Sequence, residues 1–321
     1  MRFSVIVPMY QAQDFLQKCL HSIAVQSFTD FEALLVDDGS TDDTYAIAEA
    51  FAAGDRRFRV IRTDHLGTGA ARNTGFARAQ GDYVLFLDAD DTWRCQDLLK
   101  QLEHQINANC VDVLMFQMMK VTEDGKVLTR YTKPRFQQEN TVLPLQAVYQ
   151  DLVRDGQTLA SACNKCVRRT LLLTQRVLFR EDIFGEDIDW VLQVFSHAQT
   201  ICLLNLDAYN YTQHHSPSRS DHPDAPNDLV AIVREWGAYA TGQHAAHPKA
   251  VAGLVAFEYG ICMGSYHKLS GERKQLLREH VHLLQYGLDK KTKLIAKFHR
   301  IFGFTLTCLA IRVYLRLRRI W

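Results

Sequence analysis

A short apolar run that ends in three aspartates constrains this chain more than any other stretch. Residues 83–87 are apolar and rich in β-formers, which predicts one buried strand, and Asp88, Asp90 and Asp91 follow at once. In an extended backbone Asp88 and Asp90 share a face. Two carboxylates ~4 Å apart repel by about 4 kcal/mol at an effective dielectric constant near 20, so they need a counter-charge such as a hard divalent cation. The alternative is an acidic turn ahead of a helix, where Asp is also favoured.

The residues before this stretch alternate between strand and helix patterns. Strands are predicted at 4–8, 31–36, 59–62 and 83–87, with helices between them. Such alternation is typical of parallel strands joined by right-handed crossovers, in a sheet that helices cover on both sides. Ligands of these sheets bind beyond the carboxyl ends of the strands. The predicted fold class is therefore α/β, with a mostly parallel, Rossmann-like sheet.

The composition is that of an ordinary globular protein. The 321 residues are 47% hydrophobic and 23% charged, and the formal net charge of +1 implies no general preference for nucleic acid. Pro223, Pro226 and a shift in composition predict a boundary near residue 225, which divides a domain of residues 1–225 from a helical region of residues 226–321. Eight scattered cysteines and a first strand that leaves no room for a signal peptide favour a cytoplasmic protein with reduced thiols. Cys163 and Cys166 are interpreted as buried neighbours on a helix.

Five motifs stand in a characteristic order. They are Val5-Ile-Val-Pro-Met-Tyr10, Val36-Asp-Asp-Gly-Ser-Thr-Asp42, Ala71-Arg-Asn-Thr-Gly75, Leu87-Asp-Ala-Asp-Asp91 and Gly185-Glu-Asp187. In this combination the chain resembles a family-2 glycosyltransferase of the GT-A fold, of the inverting type that builds bacterial surface polysaccharides, over roughly residues 3–215. The first strand is followed neither by a Gly-x-Gly-x-x-Gly dinucleotide fingerprint nor by the Gly-rich basic loop of a sugar nucleotidyltransferase.

The resemblance implies a site for a nucleotide diphosphate sugar, with UDP as the expected nucleotide. Its implied residues are Pro8, Tyr10, Asp38, Gly39, Arg72, Asp88, Ala89 and Asp90. Asp38 would accept hydrogen bonds from the base or ribose, and Arg72 would fork onto phosphate or base. Asp90 would bind Mg²⁺ or Mn²⁺, while Asp88 would contact ribose or a metal-bound water. Two structural alternatives stay open, namely a turn at Asp38 with Gly39 as its permissive residue and an arginine brace between the acidic loops.

The resemblance also implies a catalytic pair, Glu186 and Asp187, in which Asp187 deprotonates the acceptor hydroxyl. A carboxylate can act as this base when it lies within hydrogen-bond reach. Both acids would equally suit the first turn of a helix, and Asp189 is a weaker candidate for the base. Further residues of interest are Phe184 and Trp190 as walls of a sugar cleft, Asn164 and Lys165 near the acceptor, and His214 and His215 near the diphosphate or metal.

The C-terminal stretch carries a separate chemistry, because no acid follows Asp289 while basic residues recur to the end. The uninterrupted apolar stretch 301–311 is shorter than the ~20 residues that span a bilayer, so an interfacial helix on an anionic membrane is predicted. The alternative is a helix that packs on its own domain or in a homodimer. The predicted apolar face is Ile295, Phe302, Leu306, Leu309, Val313, Leu317 and Ile320; the predicted basic half is Lys293, Lys297, Arg300, Arg312, Arg316 and Arg319.

These patterns predict an inverting, metal-dependent glycosyltransferase at the inner face of the plasma membrane. It would move a sugar from a nucleotide diphosphate sugar to a hydroxyl of a glycan or lipid-linked glycan, in the synthesis of capsule, O-antigen or exopolysaccharide. Two alternatives are a sugar nucleotidyltransferase that makes the donor and a non-catalytic module that binds sugar nucleotides or glycans.

Overall fold

In the part of the chain that the structure describes, the sheet that carries the motifs contains ten strands. The computed structural model describes residues 1–108, 110–130, 139–158, 160–214 and 222–319. The strands of the described chain are β1 (Phe3–Met9), β2 (Phe31–Asp37), β3 (Phe58–Arg62), β4 (Tyr83–Phe86), β5 (Thr92–Trp93), β6 (Val113–Thr122), β7 (Val127–Arg130), β8 (Val142–Pro144), β9 (Lys165–Arg168) and β10 (Thr200–Gln213).

Helices connect and flank these strands. They are α1 (Leu16–Ala24), α2 (Thr44–Gly54), α3 (Thr68–Arg78), α4 (Leu98–Ala108), α5 (Leu145–Arg154), α6 (Arg169–Thr174), α7 (Glu186–His197), α8 (Ala225–Thr241), α9 (Pro248–Gly264), α10 (Gly271–Glu279) and α11 (Lys290–Arg319). Short 3₁₀ segments cover Ala162–Asn164, Tyr266–Lys268 and Val281–Tyr286.

The first four long strands form the parallel core that the alternation predicts. The order across the sheet is β3-β2-β1-β4-β9-β6-β10-β5, and the pairs β3·β2, β2·β1 and β1·β4 are parallel. Every residue of β1, β2 and β4 is buried, as expected for strands covered on both faces. The α/β fold class is therefore confirmed.

The second half of the sheet departs from the parallel pattern. β9 lies antiparallel to both β4 and β6, and β5, β7 and β8 add further antiparallel pairs, while β10 is parallel to β6. Residues 165–168 fill the gap between β4 and β6 as a buried strand, so the predicted helical placement of Cys166 is wrong. Cys163 and Cys166 are consequently not helical neighbours, although both are buried and all eight cysteines are free thiols.

The chain divides into two compact units. The first consists of residues 1–145, 159–182 and 189–216, and the second of residues 146–158, 183–188 and 217–321. The longest segment of the second unit begins at residue 217, near the predicted boundary, and two earlier segments belong to the same unit. The boundary at residue 225 itself stays a prediction about domains.

Helix α9 is the centre of the second unit. It is apolar on most of its surface and almost entirely buried, and it contacts α8, α11 and the 3₁₀ segment at 281–286. Helix α11 is not one straight helix, because Gly303 has φ 73° and ψ 178° and separates two helical segments. By length and composition alone, residues 290–317 could cross a membrane. The sequence had predicted no spanning helix, because only the short stretch 301–311 is free of charged residues.

Candidate donor and metal site

Three parallel strands bring three of the sequence motifs to one edge of the sheet. Ile6 is in register with Phe86, and Met9 is in register with Asp37. The β1–β2 pairing continues past the strand end, because the backbone N–H of Asp38 donates to the carbonyl of Met9 at 2.8 Å. The residues that follow β1, β2 and β4 therefore lie at the same carboxyl edge, where the fold is expected to hold a ligand.

The carboxylate of Asp38 is saturated by the loop between β3 and α3. Its Oδ1 accepts from the backbone N–H of Leu66 at 2.8 Å and its Oδ2 from that of Gly67 at 2.8 Å. The Thr63 hydroxyl and His65 Nδ1 add contacts at 3.3 and 3.1 Å. Asp38 is only 2% exposed, so in this conformation it orders the 63–67 loop. A direct contact from Asp38 to the nucleotide stays a prediction.

The same loop contributes a residue that the sequence analysis missed. The ring of His65 stacks on that of Tyr10 with centroids 4.1 Å apart, and Tyr10 is 47% exposed. An open aromatic face of this kind can stack with a nucleobase. Gly39 has a φ of 74°, and a Cβ there would approach the backbone nitrogen of His65 to 3.0 Å, so the turn requires glycine as predicted. Pro8 and Ala89 are buried at this edge.

Arg72 is a buried cation that faces the aspartate cluster. Its side chain donates to Oδ1 of Asp88 at 2.8 Å, and its guanidinium lies over the ring of Phe179 at 5.1 Å. The residue after it, Asn73, bonds to both the N–H and the carbonyl of Phe179, at 2.9 and 2.8 Å. Helix α3 is thus fixed to the segment around Phe179. Of the two acidic loops that the open alternative joins through Arg72, the ion pair is with the loop that carries Asp88.

Asp90 offers the more open carboxylate of the pair. Its side chain is 48% exposed, and partial burial together with the charge of Asp88 raises its pKa. Nε2 of His214 lies 3.7 Å from Oδ2 of Asp90, while its Nδ1 contacts Glu123 at 3.0 Å. His214 Nε2 has no hydrogen-bond partner among the described residues. His215 lies outside them.

The third aspartate, Asp91, has a different role from its neighbours. It is 1% exposed and accepts from the Tyr209 hydroxyl at 2.5 Å and from the backbone N–H of Thr212 at 2.7 Å. These bonds tie the end of β4 to the end of β10, and His214 follows two residues later. Asp91 therefore positions the segment that brings His214 beside Asp90.

The donor set fits a hard divalent cation whose coordination is completed by a ligand. Within the described chain no three His, Cys, Asp or Glu side chains form a ready-made metal centre. An exposed carboxylate, a second carboxylate and an unpartnered imidazole nitrogen can contribute ligands, and phosphate oxygens and water would supply the rest. This arrangement suits a metal that arrives with a diphosphate.

The two predicted catalytic acids belong to the second compact unit. Glu186 is the first residue of α7 and is 6% exposed, and Asp187 follows it with a partly exposed side chain. Gly185 precedes them with a φ of 86°. The backbone N–H of Phe184 donates to Asp228 at 3.0 Å, and its ring stacks on His222 at 4.2 Å. The roles of Glu186 and Asp187 stay predictions.

Three of the further residues do not lie where the sequence suggested. Trp190 is 1% exposed and stacks on Phe179 at 5.0 Å, so it is a core residue and not the wall of a cleft. Lys165 is fully buried; its Nζ donates to the Ser161 carbonyl at 2.6 Å and to Asn164 at 2.8 Å. The asparagine and lysine thus form a buried polar pair that supports the sheet.

Comparison with known proteins agrees with the motifs. The sequence profile of the family described as "Glycosyl transferase family 2" matches residues 4–172. The chain is 32% identical over 232 residues to the uncharacterized glycosyltransferase EpsJ of Bacillus subtilis, which covers 71% of this chain and 63% of EpsJ. It is 31% identical over 241 residues to the poly(ribitol-phosphate) beta-N-acetylglucosaminyltransferase TarS of Staphylococcus aureus, covering 73% of this chain and 39% of TarS. The chain thus aligns with less than two thirds of either relative.

Solved structures show the same fold. Residues 1–349 of S. aureus TarS in complex with UDP-GlcNAc match with a TM-score of 0.73 and 23% identity, over 99% of this chain and 92% of that chain. The mannosyltransferase PcManGT of Pyrobaculum calidifontis, in complex with GDP-Man and Mn²⁺, matches with a TM-score of 0.53 and 15% identity, over 98% of this chain and 87% of that chain. At these identities the likeness concerns the fold.

Proposed function

The chain belongs to glycosyl transferase family 2 and has the GT-A fold, and from this we propose that it transfers a sugar from a UDP-sugar to a hydroxyl of a glycan acceptor. The observation that carries the proposal is the pair Asp88 and Asp90 at the carboxyl edge of the sheet, with Arg72 held 2.8 Å from Asp88. A diphosphate is the ligand that needs both a divalent cation and a guanidinium.

The donor nucleotide would lie along the edge formed by the residues after β1, β2 and β4. The exposed ring of Tyr10 offers a stacking face for the base, and Asp38 holds the adjoining loop. Arg72 would turn from Asp88 toward a phosphate, since a buried guanidinium can fork onto two oxygens at once. UDP is proposed as the nucleotide because the related TarS was solved with UDP-GlcNAc.

The proposed metal is Mg²⁺ or Mn²⁺. Asp90 would hold it, with Asp88 and His214 as further ligands or as acceptors for its bound water. Two observations support this site, namely the exposed Asp90 carboxylate and the unpartnered Nε2 of His214 at 3.7 Å from it. When bound, the cation supplies neutralisation of the charge that develops on the departing diphosphate. The Mn²⁺ in the distantly similar PcManGT complex agrees with this choice.

Asp187 is the proposed general base. Its carboxylate would take the proton of the acceptor hydroxyl, whose oxygen then forms the new bond to the anomeric carbon while the bond to the diphosphate breaks. Attack from the face opposite to the leaving group inverts the anomeric configuration. Glu186, buried at the start of α7, would hold Asp187 in position. We place the enzyme in cytoplasmic synthesis of bacterial surface polysaccharide on lipid-linked intermediates, with the inner face of the plasma membrane as its location.

A donor screen tests the proposal. The purified chain is incubated with a panel of UDP- and GDP-sugars, with and without Mn²⁺, and released UDP, GDP and pyrophosphate are measured separately. Slow, metal-dependent release of UDP is expected. Release of pyrophosphate would identify a nucleotidyltransferase, and donor binding without any release would identify a binding module.

Calorimetry tests the metal residue separately. Asp90→Asn should remove the metal-dependent part of UDP affinity, while Asp30→Asn, at the opposite end of β2 and 62% exposed, should leave it unchanged. Unchanged Mn²⁺-dependent affinity in Asp90→Asn would move the metal site elsewhere.

A further inference from the structure

The second segment of α11 exposes its apolar side to solvent. Leu306, Leu309, Val313 and Leu317 are 51%, 53%, 48% and 56% exposed, and their spacing puts them on one helical face, which we call the outer face. A surface helix normally turns such residues toward its own core. An exposed apolar strip of this length therefore indicates an interaction surface.

The opposite side of this segment is already occupied by its own unit. Thr307 and Cys308 are 1% and 6% exposed, and Phe304 meets Tyr266 at 5.2 Å between ring centroids. A Cβ added at Gly264 of α9 would lie 2.8 Å from Leu315 and 3.0 Å from Ile311, so α9 and α11 are in close contact there. The outer face consequently cannot turn inward without breaking this contact.

The predicted single amphipathic helix is corrected by these contacts. The break at Gly303 ends the first segment, in which Ile295 lies against Gly260 of α9 and does not extend the outer face. Helix α11 therefore does pack on its own unit, as the alternative had it, but through Ile295, Ile311 and Leu315 and not through the outer face. The outer-face leucines and valine remain about half exposed in the described part of the chain.

Basic groups border the outer face. Arg312 and Arg316 lie three residues after Leu309 and Val313 on the same helix, which puts them beside the apolar strip. Burial lowers the pKa of His267, and the charges of Arg312, Lys268 and Arg316 lower it further. Residues 290–321 contain no acid, and their basic residues are Lys290, Lys291, Lys293, Lys297, Arg300, Arg312, Arg316, Arg318 and Arg319. A strip of apolar residues beside a band of positive charge matches a bilayer surface that carries anionic headgroups.

We propose that the outer face of α11 docks on an anionic phospholipid bilayer, with Leu306, Leu309, Val313 and Leu317 among the acyl chains and the basic side chains of Lys268, Arg312 and Arg316 at the lipid phosphates. A second copy of the chain is a poorer partner, because it would bring an equal set of positive charges against the first. The helix lies in the interface and does not cross the bilayer. After the break at Gly303 its uncharged helical stretch 304–311 is roughly 12 Å long, against about 30 Å for the hydrocarbon core.

Vesicle co-sedimentation of the full chain tests this surface, without any sugar nucleotide present. Binding is expected to vesicles of phosphatidylcholine mixed with phosphatidylglycerol at low salt, with much weaker binding to phosphatidylcholine alone and release by high salt. Removing two charges with Arg312→Gln and Arg316→Gln should lower partitioning into the anionic vesicles by about thirtyfold. Leu309→Ser with Leu317→Ser should lower partitioning by about tenfold or more on either vesicle type.

Matched variants on the first unit control for charge and apolar surface. Arg56→Gln with Lys100→Gln removes the same charge from exposed positions, and Leu128→Ser with Leu173→Ser removes leucines that are 51% and 48% exposed. Both pairs should bind vesicles like the parent chain, and calorimetric UDP affinity should be equal in all variants that are folded.

Three results would overturn the proposal. They are equal losses in the α11 and control pairs, a chain that ignores anionic vesicles but dimerises through Leu309 and Leu317, and a chain that resists extraction from membranes by alkaline carbonate, which would identify a spanning helix.

Discussion

Replacing the buried Glu258 by glutamine should make the protein more stable at alkaline pH than the parent chain. Glu258 lies on α9 and is 4% exposed. Burial raises the pKa of its carboxyl from 4.5 to about 7. Because the folded pKa lies above the unfolded value, the protonated carboxyl favours folding below pH 4.5, and this contribution is lost as the pH rises to 7.

The difference between the two pKa values sets the size of the effect. A change from 4.5 to about 7 corresponds to about 3 kcal/mol of unfolding free energy. Glu258→Gln keeps the shape of the side chain but has no proton to lose. The stability of the variant relative to the parent chain should therefore increase between about pH 5 and about pH 8, by up to about 3 kcal/mol.

Urea unfolding at pH 5 and at pH 8, followed by far-ultraviolet circular dichroism, measures this difference. Glu235→Gln, whose side chain is 44% exposed on α8, is the control and should show no such dependence on pH. A difference between Glu258→Gln and parent that is the same at both pH values would refute the reasoning.

Two further substitutions test the donor edge. Asp38→Ala removes the acceptor of two backbone N–H groups in the 63–67 loop, so amide exchange in that loop should accelerate and UDP affinity, measured by calorimetry, should fall by about tenfold or more; unaltered exchange would contradict the ordering role. Asn73→Ala leaves the backbone N–H and carbonyl of Phe179 without their partner and should lower the free energy of unfolding by about 2 kcal/mol in urea titrations. A change within measurement error would show that water replaces the side chain there.

The sequence predicted that the motif residues meet at one edge of the sheet, because that meeting depends on strand order alone. An apolar run followed by polar residues fixes where a strand ends, and parallel strands end at one edge, so Tyr10, Asp38 and Asp90 could be placed together from the alternation. The turn at Gly39 was predicted because it depends only on the residue types next to one another in the chain, and its φ of 74° agrees.

Contacts that depend on backbone donors and on distant packing could not be predicted in this way. Asp38 accepts hydrogen bonds from the backbone N–H groups of Leu66 and Gly67. Nearly every residue type has a backbone N–H, so these bonds cannot be predicted from the residues present. A tryptophan beside acidic residues is typical of a sugar-binding cleft. Only the packing of Trp190 on Phe179 shows that it belongs to the core. The outer face of α11 was visible as periodicity, but the sequence could not tell which side α9 would cover.

Turnover of Asp187→Asn, compared with Asp189→Asn, tests the proposed chemistry most directly. Asp189 is 5% exposed two residues further along α7 and accepts a hydrogen bond from Gln193 at 2.6 Å, so it is a matched carboxylate with a structural partner. UDP release from the donor selected by the screen is measured together with calorimetric UDP affinity. Asp187→Asn should lower turnover by ~10²-fold or more with UDP affinity unchanged, because only basicity is lost. Near-normal turnover in Asp187→Asn, or a larger loss in Asp189→Asn, would contradict the assignment of the base.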